Sequence, residues 1–222
     1  MIKAVVFDMD GILFDTERIS VECCFQAAEE LGITITEKAV LGCCGRNADA
    51  ARAHVMDTME NVYPEQTFPY DAYHEKLEAL FEERIKDGPP VMKGVRELLD
   101  FLRQKGIPMA VASSTRRDRV LGNLKKSGLE DYFDVVISGD MIKRSKPFPD
   151  IYLAACEELK TAPEEAMGVE DSENGIRAAA AAGMTAVMIP DIIKPTEEIR
   201  RVYDLCFPSL IQLREYLAEN CV

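Results

Sequence analysis

The sequence predicts an α/β protein: a parallel sheet with helices on both faces, interrupted after its first strand by an all-helical insert. Three observations carry that expectation. From about residue 95 onward, short apolar runs alternate with helix-length segments, the pattern of a parallel sheet joined by crossover helices. One further apolar run, Ala4-Val5-Val6-Phe7, stands alone near the start and reads as a strand buried on both faces. Between the two regions, helical patterns follow one another with no convincing strand. The sheet unit is therefore expected to be discontinuous, 1–14 together with 88–222, with the insert at 15–87.

The elements follow in order. A helix is expected from about Thr16 to Leu31, closed by Gly32 as a C-terminal cap. Helical segments fill Thr36 to Lys86, broken by Pro64 and Pro69, and Gly88-Pro89-Pro90 ends the insert. The alternation then runs helix Val95–Lys105, strand Pro108–Ala112, helix Arg117–Ser127, strand Val135–Ser138, helix Pro149–Leu159 and strand Ala166–Val169. A helix Gly175–Ala182, a strand Thr185–Ile189, a short strand near Asp204–Cys206 and a helix Ser209–Leu217 complete it. The alanine run from Ala178 to Ala182 points to close helix–sheet packing.

Composition narrows the function classes. With 39 Asp+Glu against 26 Lys+Arg the formal charge is −13, which argues against nucleic acid, since phosphate backbones bind through clustered Lys and Arg. No apolar run approaches a membrane span, and Met1-Ile2-Lys3 leads directly into the first strand and not into a signal peptide, so no membrane partner is expected. The seven cysteines are odd in number, with adjacent pairs Cys23-Cys24 and Cys43-Cys44 and isolated Cys156, Cys206 and Cys221. Such spacing suits neither a disulfide framework nor a thiolate zinc site; it suits buried thiols in a cytoplasmic protein. A monomer or weak homodimer is expected.

The polar residues fall where a parallel sheet binds ligands, beyond the carboxyl ends of its strands. The first strand ends in Asp8-Met9-Asp10-Gly11, the second in Ser113-Ser114-Thr115 and the fourth in Glu170-Asp171-Ser172, while Lys146-Pro147 follows the third. Clustered carboxylates repel, so either their pKa values rise or a cation neutralises them; oxygen donors beside a phosphate suit Mg²⁺. Hydroxyls, backbone N–H groups and one ammonium would then hold phosphoryl oxygens, and a carboxylate can serve as nucleophile in phosphoryl transfer. Each group also has a plain reading: Asp8 and Asp10 as a strand-ending turn, Ser113 as a helix N-cap, Lys146 as a solvated loop lysine, Glu170 and Asp171 as helix-start carboxylates. Their convergence favours chemistry. Arg116 and Arg117 read as surface residues.

Asp8-x-Asp10-Gly11 after an apolar strand, Ala112-Ser113-Ser114, Lys146-Pro147-x-Pro149-Asp150 and Glu170-Asp171-Ser172-x-x-Gly175-Ile176 occur in the order found in the haloacid dehalogenase superfamily. The chain resembles the β-phosphoglucomutase-like branch of small phosphatases and mutases. The resemblance implies a Rossmann-like core with an inserted helical cap domain. It implies Asp8 as the phosphorylated nucleophile and Asp10 as general acid/base, with its backbone carbonyl on Mg²⁺. Ser113 and Lys146 resemble the phosphate-binding hydroxyl and lysine, Asp171 the side-chain metal ligand and Glu170 its companion. Asp10 supplies the proton partner that a phosphate ester needs, which favours phosphate chemistry over dehalogenation.

Substrate contacts are sought in Ser114 and in the insert. Arg46, in the loop Gly42-Cys43-Cys44-Gly45-Arg46-Asn47, is a candidate for a phosphate or hydroxyl contact, and so is Asp15 at the hinge, where helix capping by Asp15 or Thr16 is the competing reading. In β-phosphoglucomutase itself a histidine follows the Asp-Thr pair on the first cap helix; Ser20 stands here instead, and His54 and His74 lie elsewhere. That departure disfavours a mutase, the alternative reading. A Schiff-base lysine for phosphonoacetaldehyde chemistry is also absent, Lys38 being the nearest candidate. A receiver-type signalling module shares the acidic pocket but carries no such insert. The expectation is an Mg²⁺-dependent phosphatase acting on a small phosphorylated metabolite, a sugar phosphate first, through an aspartyl phosphate.

Overall fold

The strands β1 (Ala4–Phe7), β2 (Met109–Ser113), β3 (Val135–Ser138), β4 (Ala166–Glu170), β5 (Thr185–Met188) and β6 (Leu205–Cys206) form one parallel sheet in the spatial order β3-β2-β1-β4-β5-β6. This computed structural model describes residues 2–46, 48–64 and 67–220; Met1, Asn47 and Cys221 lie outside the described residues. The helices are α1 (Thr16–Leu31), α2 (Glu37–Leu41), α3 (Ala48–Met59), α4 (Tyr70–Arg84), α5 (Val95–Gln104), α6 (Arg117–Lys126), α7 (Asp150–Glu158), α8 (Glu173–Ala181) and α9 (Leu210–Asn220). No helix among the described residues is long and apolar enough to cross a membrane.

Strand periodicity sorts the core into two layers. Val5 and Phe7 of β1, with Met109, Val111, Val169 and Val187, face α5, α6 and α9 through Leu98, Leu102, Leu124 and Leu213. The alternate residues Ala4, Val6, Ala110, Ala112 and Ala186 face α7 and α8. That second face is built from small side chains, so the helices sit close. A Cβ placed on Gly168 of β4 would come 2.9 Å from the Cβ of Ala179, which is the close packing that the alanine run suggested.

The expected strands and helices form, with small shifts at their ends. Helix α8 begins at Glu173, two residues before the expected start, because Ser172 is its N-cap and its Oγ accepts the Gly175 backbone N–H at 3.0 Å. Gly32 closes α1 in the left-handed conformation, its N–H bonding the carbonyls of Ala28 and Glu29.

The helices α1 to α4 bury an apolar cluster of their own around Ala27, Val40, Met59 and Tyr73. They connect to the sheet by two segments that run side by side. The Asp15 N–H donates to the Pro90 carbonyl at 2.9 Å, the Met92 N–H to the Leu13 carbonyl at 2.9 Å, and Phe14 bridges Val91 in antiparallel fashion. The chain places β2 and β3 on one side of β1 and β4 to β6 on the other. The order therefore reverses between β1 and β4, where open α/β sheets bind ligands.

Candidate active site

The loop after β1 is fixed by backbone bonds before any side chain acts. The Asp8 N–H donates to the Val169 carbonyl at 2.9 Å, which ties the end of β1 to β4. Gly11 then turns with φ of +78°, and a Cβ there would lie 2.2 Å from Asp171 Oδ2. Both the left-handed backbone and the missing side chain are needed for Asp171 to approach this loop.

Lys146 is the hub of the polar cluster. Its Nζ donates to Asp8 Oδ1 at 2.5 Å, to Glu170 Oε1 at 2.6 Å and to the Ala112 carbonyl at 3.0 Å, so its three protons are all used. Glu170 is wholly buried, and besides Lys146 it accepts from the Tyr152 hydroxyl at 2.6 Å and the Ser172 hydroxyl at 3.1 Å. Asp10 is held by two threonines: Thr16 donates to Oδ1 at 2.6 Å and Thr115 to Oδ2 at 3.0 Å.

Burial and charge act on these groups in opposite senses. Burial pushes the Asp8 carboxyl well above its usual range; Lys146 pulls it down, and Glu170 and Asp10 add to the rise. Burial likewise raises Asp171, with Glu170 and Asp8 adding repulsion. Burial alone would lower Lys146, but the charges of Asp8 and Glu170 outweigh it and raise the ammonium above its ordinary value. Asp8, Glu170 and Asp171 each offer an oxygen within 4.8 Å of the others. Three hard oxygen donors with surplus negative charge fit a divalent cation of the Mg²⁺ type. The Asp10 side chain lies outside that trio.

A cavity of about 820 Å³ lies between these strand ends and the helical insert. Asp8, Asp10, Ser114, Lys146 and Asp171 reach it from the sheet side and Arg46 from the insert. Ser113 is fully buried beneath that wall, and its Oγ accepts the Thr115 N–H at 3.1 Å, so it shapes the loop that presents Ser114 and Thr115. Asp15 does not line the cavity; its carboxylate pairs with Arg18 at 3.3 Å and makes no capping bond to α1. The neighbouring Thr16 turns to Asp10 instead of capping. Arg116, read as a surface residue, is mostly exposed yet sits on the cavity rim. Ser20 and His74 line the cavity, and His74 stacks on Tyr70 at 5.5 Å; Lys38 is exposed on α2. Cys23, Cys24 and Cys156 are buried, Cys43 and Cys44 are partly so, and Cys206 is exposed, where burial was expected.

Two members of the site escaped the sequence reading. Tyr152 looks like one more apolar core position on α7. Thr115 is one of three adjacent hydroxyls with nothing to single it out. Gly175, part of the Glu170-Asp171-Ser172-x-x-Gly175 motif, shows its reason in the fold: a Cβ there would stand 1.9 Å from Glu170 Cδ. Gly175→Ala is accordingly expected to drive Glu170 from its donors. Overpacking of this kind costs about 1–3 kcal/mol, and phosphate release should fall by more than about tenfold where Glu170 positions the cation. Melting curves and Mg²⁺ titration of the variant check both.

Comparison with known proteins agrees with this geometry. A family model described as haloacid dehalogenase-like hydrolase matches residues 5–189. A phosphorylated carbohydrates phosphatase of Thermotoga maritima is 37% identical over 185 residues, covering 83% of each chain. The crystal structure of CbbY from Rhodobacter sphaeroides in complex with phosphate superposes with a TM-score of 0.76 at 28% identity, over 96% of both chains. A β-phosphoglucomutase from Clostridium difficile shares the fold, with a TM-score of 0.79 at 24% identity over 99% of this chain and 96% of its own. The chain belongs to the haloacid dehalogenase-like hydrolases and shares the fold of the β-phosphoglucomutase structure.

Proposed function

We propose that this enzyme hydrolyses a small phosphorylated metabolite, a sugar phosphate in the first place, in the cytoplasm, with Mg²⁺ and through an aspartyl phosphate on Asp8. The observation that carries the reading is the pairing of two unlike carboxylates at one strand end. Asp8 is held by Lys146 beside Glu170 and Asp171, and Asp10 by two hydroxyls on the same cavity wall. The phosphorylated carbohydrates named for the Thermotoga relative support the choice of ester.

Residues 15–87 act as a cap whose closure excludes bulk water. Asp8 attacks phosphorus in line while Asp10 protonates the leaving alcohol oxygen; Asp10 then takes a proton from the water that hydrolyses the aspartyl phosphate. Thr16 and Thr115 keep the Asp10 carboxyl aimed across the cavity during both transfers. Lys146 offsets charge on Asp8 and on the group in flight, and Ser114, Arg46 and the loop shaped by Ser113 bind phosphoryl or hydroxyl oxygens. Asp8, the Asp10 carbonyl, Glu170 and Asp171 would hold Mg²⁺, which when bound neutralises phosphoryl charge. Asp15 serves the hinge through Arg18.

A phosphate-release screen over many phosphate esters tests the reading. Sugar phosphates should be hydrolysed with Mg²⁺ and without a bisphosphate activator, and chelation should lower the rate at least a hundredfold, on the order expected for loss of a metal's charge stabilisation. Turnover that persists in chelator would remove the metal from the mechanism. Phosphate transfer within the sugar with little free phosphate would turn the assignment to a mutase.

A further inference from the structure

Tyr152 lies in the first turn of α7, six residues beyond Lys146, and its side chain is fully buried between that helix and the sheet. It does not line the cavity and touches no reacting atom. Among the described residues its hydroxyl bonds Glu170 Oε1, at 2.6 Å, and its ring centroid lies 5.3 Å from Lys146 Nζ. A phenylalanine would fill the same space, so packing does not explain the oxygen. A buried tyrosine hydroxyl needs an acceptor, and a buried carboxylate needs donors to keep its charge. Here each meets the other's need.

The neighbours of Glu170 leave that bond little redundancy. Oε1 takes the Lys146 ammonium and the Tyr152 hydroxyl, Oε2 takes the Ser172 hydroxyl and, at 3.4 Å, the Ser172 backbone N–H, and Gly175 leaves the carboxylate no room on its own side. Lys146 is shared with Asp8 and the Ala112 carbonyl. Tyr152 is thus the donor to Oε1 that is not shared with another acceptor, and without it the carboxylate is freer to turn. We infer that Tyr152 is a positioning residue that sets the divalent-cation affinity of the site by fixing Glu170. The inference rests on the metal reading proposed above, and its test needs no substrate.

Tyr152→Phe keeps the ring and removes one donor. Mg²⁺ calorimetry on the whole chain, with Mn²⁺ titration read by paramagnetic resonance, is expected to show binding about tenfold weaker, the scale on which outer partners of metal ligands act. Melting in chelator should stay near that of the parent. In turnover the half-saturating Mg²⁺ should rise by the same factor, with kcat at saturating Mg²⁺ within about twofold, a split that a general packing defect would not produce. Ile151→Val, a packing change one residue away, should leave Mg²⁺ affinity unaltered. Where Tyr152→Phe does not fold, Tyr152→Met carries the same expectation. Parent-like Mg²⁺ affinity in a folded Tyr152 variant overturns the inference alone, as does an equal loss in Ile151→Val. A parent chain that binds neither Mg²⁺ nor Mn²⁺ overturns it together with the metal reading.

Discussion

Asp8→Asn is expected to lower phosphate release at least about 10⁴-fold, the scale seen when a hydrolase loses its nucleophile. The amide nearly matches the carboxylate in shape and can still accept from Lys146, so the pocket is kept and only attack on phosphorus is lost. Single-turnover measurement of released phosphate reads the effect. A variant within about tenfold of the parent would end the assignment of Asp8 as nucleophile.

The same substitution should leave the metal-free protein no less stable, and this separates chemistry from folding. The Asp8 carboxyl is raised by burial first, with Glu170 and Asp10 adding to the rise. A folded pKa above the unfolded value means that the fold favours the protonated form. Stability is present below the unfolded value near 4 and is lost as pH rises through the folded one. At pH 7 the native Asp8 therefore costs stability in chelator, and removing its charge should raise the melting temperature. At pH 4 the gain should shrink. Active sites commonly hold such unfavourable groups, and replacing them trades function for stability.

Much of this arrangement was legible in the sequence, and the part that was not has one physical origin. Periodicity reports which face of an element is buried, so β1, β2 and β4 and their strand-end acids and hydroxyls could be placed by pattern alone. Parallel strands then bring Asp8, Lys146 and Asp171 together as a consequence of topology. Periodicity says nothing about which partner a buried polar atom meets across the sheet. Tyr152 satisfies the core pattern of α7 and hides its hydroxyl's partner, Glu170, 18 residues ahead on another element. Thr16 was read locally as a cap, whereas its hydroxyl closes on Asp10, six residues back. Arg119 on α6 pairs with Glu78 at 2.9 Å and also with Glu82, both on α4, a link between sheet unit and insert that periodicity does not report. A tyrosine in an otherwise apolar stretch, following a lysine motif, was the signal available for Tyr152, since such a hydroxyl must find an acceptor once buried.

Lys146→Met should be the most damaging single change to the fold at this site. The lysine side chain is 6% exposed and faces Asp8 at 2.5 Å and Glu170 at 2.6 Å. Methionine preserves the apolar stem and leaves two buried carboxylates without their shared cation. Breaking a buried pair from one side costs about 3–5 kcal/mol, which for a chain of this size lowers the melting temperature by roughly 6–20 °C. The lysine pKa is raised in the fold, so its contribution is fully present below the unfolded value near 10 and the whole loss is felt at pH 7. With the ammonium gone the Asp8 carboxyl rises further, so the gap between variant and parent should widen from pH 5 to pH 8. Mg²⁺ should narrow it, because a bound divalent cation offers these carboxylates the charge that the lysine supplied. Turnover should not return with it. Metal can balance the ligands, but the ammonium that reaches Asp8 from the β3–α7 side is still missing during transfer, at a further cost of about 10²–10³-fold in rate. Melting curves across pH with and without Mg²⁺, run beside phosphate release, separate the two roles. A variant that melts within about 2 °C of the parent at pH 7 in chelator, where about 6 °C or more is expected, would show that Asp8 and Glu170 do not depend on Lys146 for their place in the fold.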